Sequence, residues 1–125
     1  MILDTTAISA WAEDDAGLLG VLRADRPWYL PSIALGEFRY GVLGSRKRAE
    51  LEKWLDDIKA VCEVLAPDAG TAGHYGELRR ALDETPGQVP YHDIWIGALA
   101  RQHGFEVVTR DAHFDLMPGI RRIGW

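Results

Sequence analysis

The sequence predicts an α/β protein, a single three-layer α/β/α domain over residues 1–125 with a central, mostly parallel sheet. Short apolar segments alternate along the chain with segments of helical periodicity. The apolar segments are continuous runs, as expected of strands that are buried on both faces of a parallel sheet. No linker, internal repeat or low-complexity tract marks off a second domain.

The first half of the chain is predicted to open with a strand that ends in an acid. Residues 1–3 are apolar, and Asp4 follows them directly. Ser32 is placed to cap a helix with its side chain, and residues 49–58 have the apolar spacing of an amphipathic helix. The predicted elements are, in order, a strand at 1–3, a helical turn after Thr6, a helix near 16–22 that Pro27 ends, a strand at 28–30, a helix at 33–43 and a helix at 49–58.

The second half repeats the alternation and again places acids at the ends of elements. Asp93 is predicted to head a helix that Gly104 ends, because glycine is favoured just past a helix C-terminus. Asp111 follows the apolar strand FEVVT. The predicted elements are a strand at 61–65, a helix from Pro67 and Asp68 to Leu82, a breaker-rich loop at 84–90, the helix headed by Asp93, a strand at 105–109 and a last strand within 120–125.

Composition limits the classes of function. Fourteen Lys and Arg against 19 Asp and Glu give a net charge of −5, which argues against nucleic-acid binding by broad electrostatic attraction. The one cysteine, Cys62, cannot form an intramolecular disulfide, and no apolar stretch is long enough to span a membrane. The N-terminal residues show no basic leader, so we expect a cytoplasmic protein.

Four acids are the candidate functional residues. Asp4 and Asp111 follow strands, Asp93 heads a helix, and Glu37 lies within an apolar helical segment. Each has an ordinary explanation by itself, as a helix cap, a turn residue or an exposed edge. The carboxyl ends of parallel strands meet at one edge of the sheet, so these acids are expected to converge there. Converging carboxylates repel one another unless a hard cation such as Mg²⁺ or Mn²⁺ joins them.

The segments around these acids resemble a known family. LDTT, ALGEFRYG, VPYHDIWIGALA and VVTRDAHF are similar in order, spacing and flanking apolar residues to the four acidic motifs of PIN-domain ribonucleases, most closely the VapC-type toxins of toxin–antitoxin pairs. The resemblance covers essentially the whole chain. It departs at His92, where a small or acidic residue often precedes the third acid, and Asp115 is an alternative to Asp111 as the fourth acid.

The resemblance implies a metal-dependent endoribonuclease with a PIN-like fold. It implies that Asp4 and Asp93 are the principal ligands of Mg²⁺ or Mn²⁺, that Asp111 is a further ligand, and that Glu37 is a ligand or orients a water. It also implies an RNA substrate, a cognate antitoxin and a homodimer. Residues expected to assist are Thr5, Thr109 and Asp115 near the acids, and Arg39 and Arg110 as RNA contacts.

Three other functions are alternatives to a metal-dependent ribonuclease. A haloacid-dehalogenase-type phosphatase needs an acid two residues after the first, where this chain has Thr6. A receiver-like signalling module needs paired acids after the first strand and a phospho-acceptor after the third, where Ala66 and Pro67 stand. The third alternative is a PIN fold that serves only as an interaction module, and the four acids leave it open. The four histidines lack zinc-ligand spacing.

Overall fold

The computed structural model describes residues 1–22 and 25–125 and contains one five-stranded sheet. All neighbouring strands are parallel, in the order β3-β2-β1-β4-β5. The predicted α/β class with a mostly parallel sheet is therefore confirmed. The strands are β1 (Ile2–Leu3), β2 (Tyr29–Pro31), β3 (Glu63–Leu65), β4 (Val107–Val108) and β5 (Arg122–Ile123).

Helices connect the strands and cover the sheet. Residues Ile2, Leu3, Val107 and Val108 are all fully buried, and successive strand residues point to opposite faces, so both faces of the sheet are covered. In the described part of the chain, no helix is long and apolar enough to cross a membrane. The helices are α1 (Thr5–Ala12), α2 (Ala16–Val21), α3 (Ser32–Leu43), α4 (Arg48–Lys59), α5 (Ala69–Leu82), α6 (Tyr91–His103) and the short 3₁₀ helix η1 (Ala112–Leu116).

The chain reverses its direction across the sheet between β1 and β4. It runs outward from β1 through β2 to β3, then returns past them to β4 and β5. In open parallel sheets, a crevice forms at such a point, beyond the carboxyl ends of the two strands. Asp4 directly follows β1, and Thr109 directly follows β4. Receiver-like modules have the strand order 2-1-3-4-5 instead, so the fold excludes that alternative.

Two helix starts differ from the sequence prediction. Ser32 is already the first residue of α3, and its side chain does not cap the helix; Pro31 occupies the cap position. Helix α6 begins at Tyr91 after Pro90, so Asp93 is its third residue and not its start. The same feature is present in both cases: a proline with φ near −60° occupies the cap position, and the helix begins at the residue after it.

Strand lengths also differ, because backbone N–H and C=O groups form ladder hydrogen bonds only where a neighbouring strand is present. The predicted strand at 61–65 pairs only over Glu63–Leu65, and the one at 105–109 only over Val107–Val108. The predicted end of α6 is confirmed: Gly104 has a φ of 71°, the left-handed conformation that glycine tolerates best.

Helix α6 packs closely on the segment that follows β4. A Cβ atom built on Gly97 would lie only 2.5 Å from the Sδ atom of Met117, which is buried directly after η1. The absence of a side chain at Gly97 therefore lets α6 approach η1. This contact joins α6, which carries Asp93 in its first turn, to the end of η1, which Asp111 precedes.

Candidate metal centre

The fold brings three of the predicted acids to the crevice between β1 and β4. Asp4, Asp93 and Asp111 interact electrostatically with one another. Burial, and to a smaller extent this like charge, raises the pKa of Asp4 and of Asp93. Ligand atoms of Asp93, Asp111 and His113 all lie within 4.8 Å of one another. The convergence expected from the strand ends is therefore seen in the structure.

Asp4 is both a helix cap and a member of the cluster. Its Oδ1 accepts a hydrogen bond from the backbone N–H of Ala7 at 2.9 Å and one from the Thr6 hydroxyl at 2.7 Å. Its Oδ2 accepts one from the hydroxyl of Thr109. Burial raises the pKa of Asp4 more than these hydrogen bonds lower it. The ordinary explanation considered for Asp4, a cap, is therefore correct without excluding a role in the site.

Asp93 has the least compensated carboxylate of the cluster. It is 5% exposed, and its buried Oδ2 has no hydrogen-bond partner among the described residues. Burial, with added repulsion from Asp111 and Asp4, raises the pKa of Asp93 to about 6, against the opposing charge of His92. A buried carboxylate oxygen without a donor costs free energy, and a cation placed beside it would offset that cost.

Asp111 is held in the turn that opens η1. Its Oδ1 accepts a hydrogen bond from the backbone N–H of His113 at 2.9 Å, and its own N–H donates to the Thr109 hydroxyl at 2.9 Å. The Nδ1 atom of His113 lies 3.0 Å from Asp111 Oδ1. Partial burial acts to raise the pKa of Asp111, but the contacts with His113 outweigh it and lower the pKa.

The imidazole of His92 connects Glu37 to the acidic cluster. The hydroxyl of Thr5 donates to Glu37 Oε2 at 3.0 Å. His92 lies with Nδ1 3.1 Å from Glu37 Oε1 and with Nε2 3.3 Å from Asp93 Oδ1. The acid that sequence analysis placed inside an apolar helical segment is thus half-exposed and paired, which explains how α3 accommodates it.

The remaining predicted residues have partners away from the cluster. Arg122 binds both carboxylate oxygens of Asp115, at 2.8 and 2.9 Å. Arg110 forms an ion pair with Asp15 at 2.6 Å, and its guanidinium lies 4.6 Å from the centre of the Trp125 ring. The guanidinium of Arg39 is half-exposed and 4.0 Å from Glu52.

Sequence reasoning assigned no role to Thr6 or His113 and left His92 between two roles. Thr6 donates to Asp4, and its hydroxyl also lies 3.3 Å from that of Thr109, so it links the ends of β1 and β4. The signal for His113 was its position two residues after Asp111, where an Asx turn brings a side chain back toward the acid. The histidines were judged by zinc-ligand spacing, which identifies zinc sites and does not detect a single imidazole beside a group of carboxylates.

Two clefts lie near the site. A cleft of about 240 Å³ reaches Thr5 and Glu37 between α1 and α3. A larger one of about 690 Å³ lies beside the start of α6 and is lined by Tyr91 and Arg79, not by the clustered acids. The larger volume is therefore a poor guide to the chemistry, and we place the site at the acids.

The ligand set fits a divalent cation. Three carboxylates that repel one another, one of them with a buried partnerless oxygen, form the all-oxygen environment that Mg²⁺ and Mn²⁺ prefer. The imidazole of His113 adds a nitrogen at the edge of the set.

This fold and its acidic site define a nuclease-like α/β class, and the chain belongs to the PIN domain family, which it matches over residues 1–120. One relative is the ribonuclease VapC5 of Mycobacterium tuberculosis, with 32% identity over 94 residues, 73% of this chain and 69% of that protein. The resemblance seen in the sequence is therefore confirmed.

Solved structures extend the likeness to nearly the full chain. The crystal structure of VapBC2 from Rickettsia felis bound to a promoter DNA fragment matches with a TM-score of 0.87 and 24% identity, over 99% of this chain and 97% of that one. VapBC-5 from Mycobacterium tuberculosis, a member of the VapBC family of toxin–antitoxin systems, matches with a TM-score of 0.78 and 28% identity, over 99% and 96%.

Proposed function

We propose that this protein is a metal-dependent endoribonuclease and the toxin of a toxin–antitoxin pair, acting as one nuclease domain over residues 1–125. The observation that carries the proposal is the buried, partnerless oxygen of Asp93 among the carboxylates of Asp4 and Asp111. Membership of the PIN domain family and similarity to a protein named ribonuclease VapC5 support it.

Asp4, Asp93 and Asp111 are the residues that would hold Mg²⁺ or Mn²⁺. A divalent cation bound there supplies Lewis-acid stabilisation of charge on an RNA phosphodiester and lowers the pKa of a water. Thr109 orients two of these acids, because its hydroxyl donates to Asp4 and accepts from the backbone of Asp111. A ligand set oriented in this way needs little rearrangement when substrate arrives.

Glu37 is placed to act beside the metal ligands, as a further ligand or by orienting a water. Its carboxylate is held on one side by Thr5 and on the other by His92. We assign the fourth acidic position to Asp111, because Asp115 is taken up by the bidentate contact with Arg122. Asp115 then stabilises the last strand.

RNA contacts are proposed at Arg39 and Arg110, whose guanidinium groups are both about half exposed. Arg39 follows Glu37 by two residues, and its ion pair with Glu52 is long, at 4.0 Å. Arg110 already binds Asp15, so a phosphate would have to replace that carboxylate. Few contacts of this kind suffice, since a bound cation offsets the acidic cluster and only a local basic rim is needed.

A cognate antitoxin and a homodimer are the proposed protein partners. The similar VapBC-5 structure is of a toxin–antitoxin system, which supports the first. Size-exclusion chromatography with light scattering tests the second, since a 14.0 kDa species alone at micromolar concentration would contradict it. An RNA target and a lone thiol both fit the reducing cytoplasm, where we place the protein.

Cleavage of a mixed structured RNA pool tests the proposal. Wild type with Mg²⁺ or Mn²⁺ is expected to cut, and EDTA or Asp93→Asn is expected to abolish cutting. Asp56→Asn is the matched control, because Asp56 lies on the exposed surface of α4, and it should cut like wild type. Equal residual cutting by wild type and Asp93→Asn would identify a contaminant, and the absence of any cutting would favour the interaction-module alternative.

A further inference from the structure

The imidazole of His113 lies beside the carboxylates of Asp111 and Asp93, and ligand atoms of the three residues are all within 4.8 Å of one another. Its Nδ1 is 3.0 Å from Asp111 Oδ1 and 3.7 Å from Asp93 Oδ2. That Asp93 oxygen is the buried one without a hydrogen-bond partner among residues 1–22 and 25–125. One nitrogen of η1, one carboxylate oxygen of the residue before it and one carboxylate oxygen of α6 thus lie close together.

These separations suit one coordination sphere. Neighbouring ligands of an octahedral ion with bonds near 2.1 Å lie about 3 Å apart. His113 Nδ1 also lies within hydrogen-bond distance of Asp111 Oδ2, at 3.2 Å, but this contact leaves Asp93 Oδ2 without a partner among the described residues. A cation between the three ligand atoms would satisfy all of them.

The backbone keeps the imidazole in this place. The N–H of His113 donates to Asp111 Oδ1, and the next residue, Phe114, is fully buried in the core. The turn between the acid and the histidine is therefore anchored at both ends. Little conformational entropy would be lost when the ring binds a ligand.

We propose that His113 is a nitrogen ligand of the metal centre and gives it a preference for Mn²⁺ over Mg²⁺. The inference rests on the proposed function, since it concerns the same metal. Mg²⁺ takes oxygen ligands almost exclusively, whereas imidazole nitrogen suits first-row transition ions. An all-carboxylate site would discriminate less between the two ions.

Metal titration of the full chain, read by calorimetry in the absence of RNA, tests the proposal. Wild type is expected to bind Mn²⁺ at least about tenfold more tightly than Mg²⁺. His113→Gln keeps an amide donor for Asp111 but removes the imidazole, and it should weaken Mn²⁺ roughly tenfold with Mg²⁺ changed by less than about threefold. His103→Gln, at the opposite end of α6, is the matched control and should leave both affinities unchanged.

Pulsed electron paramagnetic resonance of the Mn²⁺-loaded protein adds a direct readout. Wild type should show a ¹⁴N coupling that His113→Gln lacks and that His92→Gln retains. Equal weakening of both ions in His113→Gln, or no ¹⁴N coupling in wild type, would overturn nitrogen ligation and leave the metal-dependent nuclease standing. Wild type that binds neither ion would overturn both proposals.

Discussion

Glu37 and Asp93 are joined by a single imidazole. His92 places one ring nitrogen 3.1 Å from a Glu37 oxygen and the other 3.3 Å from an Asp93 oxygen. Glu37 belongs to α3 and Asp93 to α6, so the ring connects two helices at the site. An imidazole donates from both nitrogens only when each carries a proton, and in that form it offsets the charge of both acids.

The first prediction concerns this connection. His92→Ala is expected to lower kcat/KM for RNA cleavage by roughly 10–100-fold, as is typical when an outer partner of a metal ligand is lost. Combined with Glu37→Gln, it should lower activity by less than the product of the two single effects, since both act through one contact. Multiplicative effects in a double-mutant cycle would contradict a shared role.

The second prediction concerns stability in the absence of metal. Asp93 ionises near its ordinary value of 3.8 when unfolded, but its pKa is raised to about 6 in the fold, mainly by burial. Ionisation of Asp93 therefore destabilises the folded protein, increasingly from pH 4 to 6 and fully at pH 7. Asp93→Asn removes this penalty and should stabilise the protein in EDTA at pH 7 by about 1 kcal/mol, because the opposite pKa shift at Asp111 offsets part of it.

Thermal unfolding in EDTA at pH 7 and at pH 4 measures this effect. The advantage of Asp93→Asn should shrink toward pH 4, and Asp56→Asn should show no such trend. Excess Mn²⁺ should reverse the order at pH 7, because only the wild type keeps the full ligand set. A variant that is less stable than wild type in EDTA at pH 7 would count against an uncompensated Asp93 charge.

The third prediction separates the two candidates for the fourth acid. Asp111→Asn is expected to lower cleavage activity by more than about a hundredfold, exceeding the usual loss for an outer partner. Asp115→Asn should lower activity by less than about threefold, because Asp115 contacts Arg122 and not the acidic cluster. Loss of this exposed ion pair should lower the free energy of unfolding by only about 1 kcal/mol or less. Steady-state cleavage rates distinguish them, and equal losses would mean that Asp115 belongs to the site.

The fourth prediction concerns the hydroxyl of Thr109. Thr109→Val keeps the shape of this fully buried side chain but removes the donor to Asp4 and the acceptor for the Asp111 N–H. Leaving these groups unpartnered should destabilise the protein by about 1–3 kcal/mol in urea unfolding. Unchanged stability would show that water replaces the hydroxyl.

The fifth prediction tests the approach of α6 to η1. Gly97→Ala places a methyl group against Met117 and should destabilise the protein by about 1–3 kcal/mol. Gly76→Ala, on the exposed face of α5 with no atom near the new methyl, should stabilise it by about 0.5–1 kcal/mol. Urea unfolding measures both, and opposite signs are expected. A stabilising Gly97→Ala would show that Met117 moves aside without cost.

The element order was predictable because its signals are local. Apolar runs and helical spacing identified the segments containing β1, α4, β4 and the end of α6 at Gly104. Boundaries were less predictable, as at Ser32, because a preceding proline and not the polar side chain decides where the helix begins. Strand lengths depend on neighbouring strands, which the local pattern does not contain.

The sequence by itself indicated that Asp4 and Asp111 follow buried strands of a parallel sheet, whose carboxyl ends lie at one edge. That these two strands are neighbours was decided by the tertiary structure. Only the tertiary structure decided that His113 faces Asp93, that His92 joins Asp93 to Glu37, and that Asp115 is taken by Arg122. The physical reason is the separation along the chain between the residues that interact. A strand or helix follows from residues a few positions apart, whereas the partner of a polar side chain is chosen by packing between elements that are distant in the chain.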